Sequence, residues 1–552
     1  MKNWWKELVG YQIYPRSFKD SNGDGIGDIK GIISKLDYLK DLGIDLIWIC
    51  PIYKSPNDDN GYDISDYKNI LDEFGTMEDF DLLLKEVHNR GMKLIIDLVV
   101  NHTSDEHQWF IESKSSRDNP KSDWYIWRYG KDNKEPNNWE SIFKGSAWEY
   151  SKEREQYYLH LFSKKQPDLN WENEDVRKEI YKMINWWLDK GIDGFRVDAI
   201  SHIKKEDGLS DMDNPEGLKY VSSFNKHMNV DGIHNYLKEL NEETFKKYDI
   251  MTVGEANGVA AEEAKDWVSE ENGKFNMVFQ FEHLHLWGYE DENNFDVKAY
   301  KNVLTRWQNE LDENGWNALF VENHDIPRVV STWGNDKEYR EESAKAFGAT
   351  YFLQKGTPFI YQGQELGMTN VKFECIDEYK DISTINSYNE RIESGVSEEE
   401  ALKEVWAVSR DNSRTPMQWD NSKNAGFTDG IPWIKVNENY KEINVEKEER
   451  DENSVLNFYK KLIKLKKSNK TLIYGKYNLI LEDDENIFAY ARVLDDEKFL
   501  IIGNLTNKES EYNYDGETLE YSNLLLNNYV VDYHDSLNKF TLKPYECRVY
   551  KV

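Results

Sequence analysis

Three acidic residues, each near the end of a different short apolar run, could together cleave a glycosidic bond. Asp198 lies in GFRVDAI, Glu255 in TVGEA and Asp325 in FVENHD. Such cleavage needs one carboxyl group that protonates the leaving oxygen and a second that attacks or stabilises the anomeric carbon. A lone carboxylate at a strand end is more often a cap than a catalyst, so the prediction rests on the joint pattern.

The neighbours of these carboxylates indicate different roles for them. Arg196 lies two residues before Asp198, so both side chains point to the same face of an extended strand. We expect this guanidinium to keep Asp198 ionised as a nucleophile. Glu255 follows a glycine and is the better placed proton donor.

Side chains from separate strands meet only if the strands share one sheet, and the sequence predicts such a sheet. Short apolar runs alternate with amphipathic stretches, which indicates parallel strands that are buried on both faces. Eight units favour an α/β fold of the (β/α)₈ TIM-barrel type, with the active site at the carboxyl ends of the strands. The predicted strands are 9–15, 44–51, 93–100, 194–200, 249–256, 275–283, 317–325 and 358–365, and the predicted helices include 29–42, 77–90, 175–190 and 233–247.

Two insertions and a C-terminal region depart from this alternation. Residues 103–170 are polar and rich in aromatics, and they are too long for a plain loop, so we expect an inserted domain after the third strand. A second insertion at about 366–450 follows the eighth strand. The barrel is therefore expected over 1–102 and 171–470, and the strand-like alternation over 471–552 predicts a C-terminal antiparallel β-sandwich domain.

Composition limits the partners. The formal net charge of −33 disfavours nucleic acid and anionic membrane surfaces, because both would repel the protein. The three cysteines are far apart in the sequence, which predicts no disulfides. MKNWWKELVG contains no apolar signal segment, and no run of about 18 apolar residues predicts a membrane span. We therefore expect a cytoplasmic protein. No G-x-G-x-x-G follows the first strand, so we expect no dinucleotide or other organic cofactor. The oligomeric state stays open between monomer and homodimer.

The order of these segments resembles a known family. DLVVNH, GFRVDAI, GEA and FVENHD resemble segments of the α-amylase superfamily, glycoside hydrolase family 13, and QPDLN at 166–170 resembles its oligo-1,6-glucosidase and α-glucosidase branch. The resemblance runs from WWKELVGYQIYPRSF into the C-terminal domain. It implies a retaining double displacement in which Asp198 is the nucleophile, Glu255 the general acid and then base, and Asp325 a ligand to sugar hydroxyls.

The resemblance also implies which side chains hold the terminal glucose. Asp59 and Tyr62, in NDDNGYD, match the residues that grip and stack on that sugar. Arg410 and Arg414, in RDNSR, match arginines that close the pocket beyond it, which would allow only exo cleavage. The further residues that match this pocket are His102, Phe162, Gln166, Arg196 and His324.

The linkage preference depends on the residue after the nucleophile, which is Ala199. In similar enzymes Val at this position accompanies a preference for α-1,6 links, and Ala or Thr a preference for α-1,4 links. The residues after the acid, Ala256 and Asn257, also differ from the Met-Pro pair of some α-1,6 enzymes. A methyl-sized change gives only ~1–3 kcal/mol of discrimination. We therefore expect a retaining exo-α-glucosidase that acts on maltose and short α-1,4-gluco-oligosaccharides and overlaps with isomaltose.

Other functions are open on the sequence. An oligo-1,6-glucosidase, or a sucrose- or trehalose-directed glucosyl transferase, would keep the mechanism and change the small oligosaccharide substrate. A non-catalytic barrel of the kind found in transporter-associated heavy chains would carry a membrane span and could lack the catalytic carboxylates. This sequence keeps all three carboxylates and contains no such span, which disfavours a binding protein.

The run DSNGDGIGD at residues 20–28 could bind a cation. Its oxygen ligands alternate around Gly25 like the start of an EF-hand loop, but Gly31 replaces the required Glu and no helix precedes it. Taken alone, the run could also be a polar turn after the first strand. Similar enzymes hold a structural Ca²⁺ or Mg²⁺ at this loop, and the resemblance implies one here as the only cofactor. Its ligands would be Asp20, Asn22, Asp24 and Asp28 through their side chains and Ile26 through its carbonyl.

Overall fold

The computed structural model describes residues 3–132, 134–286, 295–514, 523–531 and 538–552. At its centre lies a sheet of eight parallel strands within these residues. Each strand is shorter than its predicted range, and only the last begins outside it, one residue early. The strands are Gly10–Ile13 (β1), Leu46–Ile49 (β2), Lys93–Val99 (β3), Gly194–Asp198 (β4), Met251–Glu255 (β5), Met277–Phe279 (β6), Ala318–Leu319 (β7) and Thr357–Tyr361 (β8).

The sheet closes on itself. Each strand from β1 to β5 pairs in parallel with the next, β7 pairs with β8, and β8 returns to pair with β1. A parallel bridge between Val278 in β6 and Asn317, which directly precedes β7, closes the remaining gap. The predicted TIM barrel is confirmed, and all eight carboxyl ends lie on one face, as parallel pairing requires.

Amphipathic helices surround the barrel and cover the outer face of its strands. The predicted helix at 29–42 is two helices that meet at Lys35, whose φ of −113° and ψ of 7° interrupt the helical backbone. A capping box between Thr76 and Asp79 begins the helix that follows β2. The helices as far as β8 are Ile29–Ser34, Leu36–Leu42, Met77–Asn89, Gln108–Ser115, Glu174–Lys190, Ile233–Glu243, Ala264–Val268, Val297–Glu310, Val329–Thr332 and Arg340–Phe352.

The segment between β3 and β4 has a small sheet and an apolar cluster of its own. Its three antiparallel strands lie in the order Trp127–Arg128, Gln156–Leu159 and Trp148–Ser151. Trp139, Trp148 and Leu161 pack together inside it. The short strand Trp139–Glu140 pairs with Val221–Ser222, which lies after β4. The segment is therefore fixed to the loop that follows β4.

The chain after β8 contains a helical part and then an antiparallel sheet. The helices are Ile382–Glu393, Glu398–Val408, Asp411–Arg414, Val445–Arg450, Val455–Ser468 and Lys470–Tyr474. The five-stranded sheet has the order Lys476–Ile480, Ile487–Leu494, Glu497–Asn504, Cys547–Lys551 and Leu524–Asn527, and a pair of strands, Ser510–Asn513 and Lys539–Leu542, packs against it. The predicted C-terminal antiparallel sheet is confirmed, although residues 515–522 and 532–537 of that predicted domain lie outside the described residues. The exact domain boundaries stay a prediction.

Two further features bear on the environment of the protein. All three cysteines are free thiols, and two of them, Cys50 and Cys547, are buried. Over the described ranges, no helix is both long and apolar enough to cross a membrane.

Candidate active site

A pocket of about 210 Å³ lies at the carboxyl ends of the barrel strands. The structure brings most of the predicted site residues to its wall, and each of the others contacts a side chain in that wall. The predicted residues that line the pocket are Asp59, Tyr62, His102, Phe162, Asp198, Glu255, Asp325 and Arg410, and those directly behind it are Gln166, Arg196, His324 and Arg414.

One buried arginine connects the two carboxylates with the predicted catalytic roles. Arg196 and Asp198 lie on β4, and Glu255 ends the neighbouring strand β5, so parallel pairing sets the two carboxylates side by side. Arg196 Nη1 donates to Asp198 Oδ1 at 2.6 Å and to Asp97 Oδ1 at 2.8 Å, and Nη2 donates to Glu255. A single guanidinium therefore serves three carboxylates.

Burial raises the pKa values of Glu255 and Asp198, the two carboxyl groups with predicted catalytic roles. Burial raises the pKa of Glu255 to about 8, although Arg196 opposes the shift. Burial also raises the pKa of Asp198 to about 7, again against the effect of Arg196. Arg196 lowers the pKa of Asp198, as expected, but burial of the carboxyl group outweighs the effect of the guanidinium. Since the pKa of Glu255 is the higher, the first proton bound lies on Glu255 and leaves Asp198 as the carboxylate.

Two arginines keep the third carboxyl group, that of Asp325, ionised. Its Oδ1 accepts hydrogen bonds from Arg410 Nη1 at 3.1 Å and from Arg414 Nη2 at 3.0 Å. Burial opposes the ionisation of Asp325, but His324, Arg410 and Arg414 together hold the pKa of its carboxyl well below the usual range. Asp325 is therefore a carboxylate at neutral pH, suited to accept hydrogen bonds from sugar hydroxyls.

Arg410 also reaches the opposite wall of the pocket. Arg410 Nη2 donates to Asp59 Oδ1 at 2.9 Å, and Gln166 Nε2 donates to Asp59 Oδ2 at 3.1 Å. The Tyr62 ring stacks on His324, with centroids 5.2 Å apart and planes 8° apart. Asp59 and Asp325 are thus two ends of one charged network that passes through Arg410.

His102 completes this part of the pocket. Its Nε2 lies 3.0 Å from the carbonyl oxygen of Tyr62, and its ring centroid lies 5.0 Å from that of Phe162. Burial lowers the pKa of His102 to about 4, so its ring is neutral at neutral pH.

The structure adds residues to which no role was assigned from sequence. Asp381, at the N-terminus of the helix Ile382–Glu393, accepts from Arg410 Nε at 2.9 Å, and no motif marks it. The Arg410 guanidinium lies over the Phe143 ring, 4.8 Å from its centroid, and only the aromatic richness of residues 103–170 could have drawn attention to that ring. The further residues without an assigned role in the pocket wall are Ile142, His202, Phe224 and Phe281, and the linkage candidates Ala199 and Asn257 line it as well.

The proposed cation loop lies outside this pocket. The oxygen donors of Asp20, Asn22, Asp24, Ile26 and Asp28 suit a hard cation such as Ca²⁺. The Asp20 carboxylate accepts from three amides of its own loop, and Asp28 caps the helix Ile29–Ser34 through the amide of Gly31. Within the described parts of the chain, no three His, Cys, Asp or Glu side chains lie close enough together to hold a metal ion. The structural cation stays a prediction.

Comparison with known proteins places this geometry in a family. Residues 12–475 match the model of the α-amylase catalytic domain. The chain belongs to the α-amylase family. The family confirms the resemblance to glycoside hydrolase family 13 and makes this protein a glycoside hydrolase.

Individual relatives of this α-amylase-family chain are similar over their whole length. The probable oligo-1,6-glucosidase 3 of Bacillus subtilis (strain 168) is 61 % identical, with 100 % of this chain and 99 % of the relative covered. The oligo-1,6-glucosidase of Parageobacillus thermoglucosidasius is 54 % identical, with the same coverage. The crystal structure of Bacillus licheniformis trehalose-6-phosphate hydrolase superimposes with a TM-score of 0.91 at 48 % identity and covers 99 % of each chain.

Proposed function

We propose that this glycoside hydrolase is a retaining exo-α-glucosidase that releases α-glucose from the non-reducing ends of maltose and short gluco-oligosaccharides. The arrangement of Asp198 and Glu255 around Arg196, inside a pocket of about 210 Å³, is the observation that carries the proposal. The relatives named as oligo-1,6-glucosidases support removal of single glucose units from short α-glucans.

The first step forms a covalent intermediate. An Asp198 carboxylate oxygen attacks the anomeric carbon while the glycosidic bond breaks, and Glu255 gives its proton to the departing oxygen. Asp198 thereby loses its charge as an ester, and Glu255 gains one as a carboxylate. Because Arg196 contacts both groups, its positive charge lies beside whichever of them is ionised.

The second step restores the enzyme. The Glu255 carboxylate takes a proton from a water molecule, the water oxygen attacks the anomeric carbon, and the bond to Asp198 breaks. Two inversions give α-glucose. Asp325, held ionised by Arg410 and Arg414, is suited to bind hydroxyl groups of the sugar as its ring distorts.

The charged network beside the pocket supports exo cleavage. Arg410 joins Asp59 to Asp325 and stacks on Phe143, so four separate parts of the chain meet beyond the position of the terminal sugar. A longer glucan would have to displace these ion pairs in order to extend through that end. The pocket therefore favours substrates whose non-reducing end stops there.

For the linkage we keep α-1,4 as the first candidate and α-1,6 as the second. Ala199 lies in the pocket wall directly after Asp198, with a positive φ of 44°, a conformation that strains a β-branched side chain such as Val. The small residue supports α-1,4 cleavage through the resemblance given above. The names of the relatives support α-1,6 cleavage.

Glucose release from maltose, isomaltose, sucrose and trehalose, measured side by side with the product anomer followed by NMR, tests this proposal. We expect α-glucose as the first product and the highest rate on maltose. A higher rate on isomaltose would keep the mechanism and establish the second candidate. Release of β-glucose would refute retention, and no release from any of the four would refute the function.

A pair of variants tests the linkage argument separately. Ala199→Val should raise the isomaltose-to-maltose rate ratio by about 10-fold or more, within the ~1–3 kcal/mol that a methyl-sized change supplies. Ala199→Gly accepts the positive φ without adding atoms, so it is the control for a backbone effect. An unchanged ratio in Ala199→Val would remove Ala199 as the determinant.

A further inference from the structure

A buried ammonium group lies behind the sugar pocket and takes no part in the proposed mechanism. Lys205 follows β4 and is only 6 % exposed. Its Nζ lies 2.6 Å from Asp168 Oδ2 and 2.9 Å from Asn101 Oδ1. Since burial of an unpaired charge is costly, these partners hold the ammonium group in a fixed place.

The partners of Lys205 belong to different parts of the fold. Asn101 follows β3, and Asp168 belongs to the segment between β3 and β4. Asp168 Oδ2 also accepts from Asn101 Nδ2 at 3.0 Å, and its Oδ1 accepts from the backbone amide of Leu161 at 2.9 Å. The backbone amide of Leu169 donates to the carbonyl of Asn101 at 2.9 Å. Lys205 therefore lies at a junction that joins two barrel strands to the inserted segment.

This junction determines which way the Asn101 amide faces. An ammonium group has donors only, so the oxygen of Asn101 must point toward Lys205. The amide nitrogen then points to the other side, where it lies 3.2 Å from His102 Nδ1. A ring nitrogen that accepts from an amide carries no proton, and a neutral imidazole then carries its proton on the other nitrogen.

The other ring nitrogen has a matching partner. His102 Nε2 lies 3.0 Å from the carbonyl oxygen of Tyr62, which can only accept. The Gln166 amide nitrogen also lies 3.2 Å from Nε2, but its two hydrogens have acceptors in Asp59 Oδ2 and the Tyr62 carbonyl, so it does not need Nε2 as an acceptor. The opposite tautomer would set two donors against each other at Nδ1 and two acceptors against each other at Nε2. Burial and the nearby Lys205 both lower the pKa of His102, so the ring is neutral at neutral pH and must carry its one proton on either Nδ1 or Nε2.

We propose that Lys205 is a positioning residue that fixes, through Asn101, the tautomer of His102 in the sugar pocket. The inference rests on the proposed function, in which His102 faces the terminal glucose. The single Nε2 hydrogen points to the Tyr62 carbonyl, and a sugar hydroxyl in the pocket that His102 lines can share it as a second acceptor. Lys205 acts on the sugar without touching it.

Two matched lysine variants test this role. Lys205→Met removes the ammonium group beside Asn101. Lys466→Met removes a similarly buried ammonium that donates to the carbonyls of Phe352, Gln354 and Gly356 and does not line the pocket. The readouts are the glucose dissociation constant by titration calorimetry and kcat and KM on p-nitrophenyl α-glucoside, each per folded molecule.

The two variants should differ in binding and catalysis rather than in stability. We expect Lys205→Met to weaken glucose binding and to lower kcat/KM by about 10-fold to 10²-fold, since a small misplacement near the reacting centre can cost 10²-fold. Lys466→Met should lose stability and keep both quantities within about twofold per folded molecule. Equal losses in both variants, or wild-type glucose affinity in Lys205→Met, would overturn the proposal.

A third variant covers the possibility that Lys205→Met does not fold. Asn101→Asp keeps an acceptor for Lys205 and removes the amide donor that faces His102 Nδ1 and Asp168 Oδ2, so it is compared with the wild type per folded molecule. It should weaken glucose binding in the same direction, and unchanged affinity would overturn the tautomer argument. If the wild type neither binds glucose nor turns over, the proposed function fails together with this inference. If the wild type does both while Lys205→Met and Asn101→Asp match it, only the positioning role fails.

Discussion

The proton on Glu255 should set the alkaline limit of activity. With its pKa raised by burial to about 8 from the ordinary 4.5, about nine molecules in ten carry this proton at pH 7. At the ordinary value, only about 0.3 % would carry it. Burial therefore increases the fraction of enzyme that has a general acid by roughly 300-fold at pH 7.

The pH dependence follows from the protonation states that the mechanism needs. Glu255 must be protonated, so kcat/KM for maltose should fall above about pH 8 and approach a tenfold loss per pH unit. Asp198 must be ionised, and burial raises its pKa to about 7, so activity should also fall below that pH. The profile of kcat/KM against pH is therefore bell-shaped. Its two limbs report apparent pKa values of the interacting Asp198–Glu255 pair rather than one value for each residue.

Glu255→Gln assigns the alkaline limb. The amide keeps the shape of the side chain and cannot give a proton, so kcat/KM for maltose should fall by about 10²–10⁴-fold. A p-nitrophenyl leaving group departs without protonation, so formation of the intermediate from p-nitrophenyl α-glucoside should survive and show no alkaline limb. Stopped-flow release of p-nitrophenol between pH 5 and 10 measures this step.

Two results would refute the reasoning. An alkaline limb that persists unchanged in Glu255→Gln would assign it to another group. Equal losses on maltose and on the activated substrate would remove Glu255 from proton transfer. Asp198→Asn is the control, and it should lose activity on both maltose and p-nitrophenyl α-glucoside.

Two variants and one treatment probe the remaining contacts. Asp198→Asn should abolish turnover on every substrate while calorimetry still detects glucose binding; measurable turnover would remove Asp198 as the nucleophile. Phe143→Ala should lower kcat/KM by up to about 30-fold, because a desolvated cation–π contact with Arg410 is worth up to about 2 kcal/mol. An unchanged kcat/KM would show that the Phe143 ring does not hold Arg410 in place. Chelation by EDTA should lower the Tm, with the initial rate at moderate temperature unchanged, if the loop at residues 20–28 holds a structural cation; an immediate loss of rate without unfolding, or an unchanged Tm, would contradict that site.

The barrel and its catalytic face could be predicted because they depend on local patterns. Apolar runs such as GFRVDAI encode strands buried on both faces, and parallel pairing brings their carboxyl ends to one side. Asp198 and Glu255 are close together for that reason alone. The break at Lys35 was not predicted, since the apolar periodicity continues through it and only the backbone angles reveal two helices.

The roles of neighbouring charges were decided by the tertiary structure. The sequence places Arg196 beside Asp198, but Asp97 and Glu255 share the same guanidinium from other strands, and burial then outweighs its charge. Asp381 has no motif and gains its partner, Arg410, through the packing of the helices after β8.

The sequence by itself determined the family, the order of the strands and the residues proposed to carry the chemistry, because short-range periodicity and compact motifs record them. Only the tertiary structure decided how charge and protons are shared among those residues. The positive φ of Ala199 and the junction of Lys205 with Asn101 and Asp168 depend on contacts between segments far apart in the chain. The physical reason is that a sequence pattern reports which face of an element is buried, whereas pKa values and tautomers depend on what other elements bring to that face.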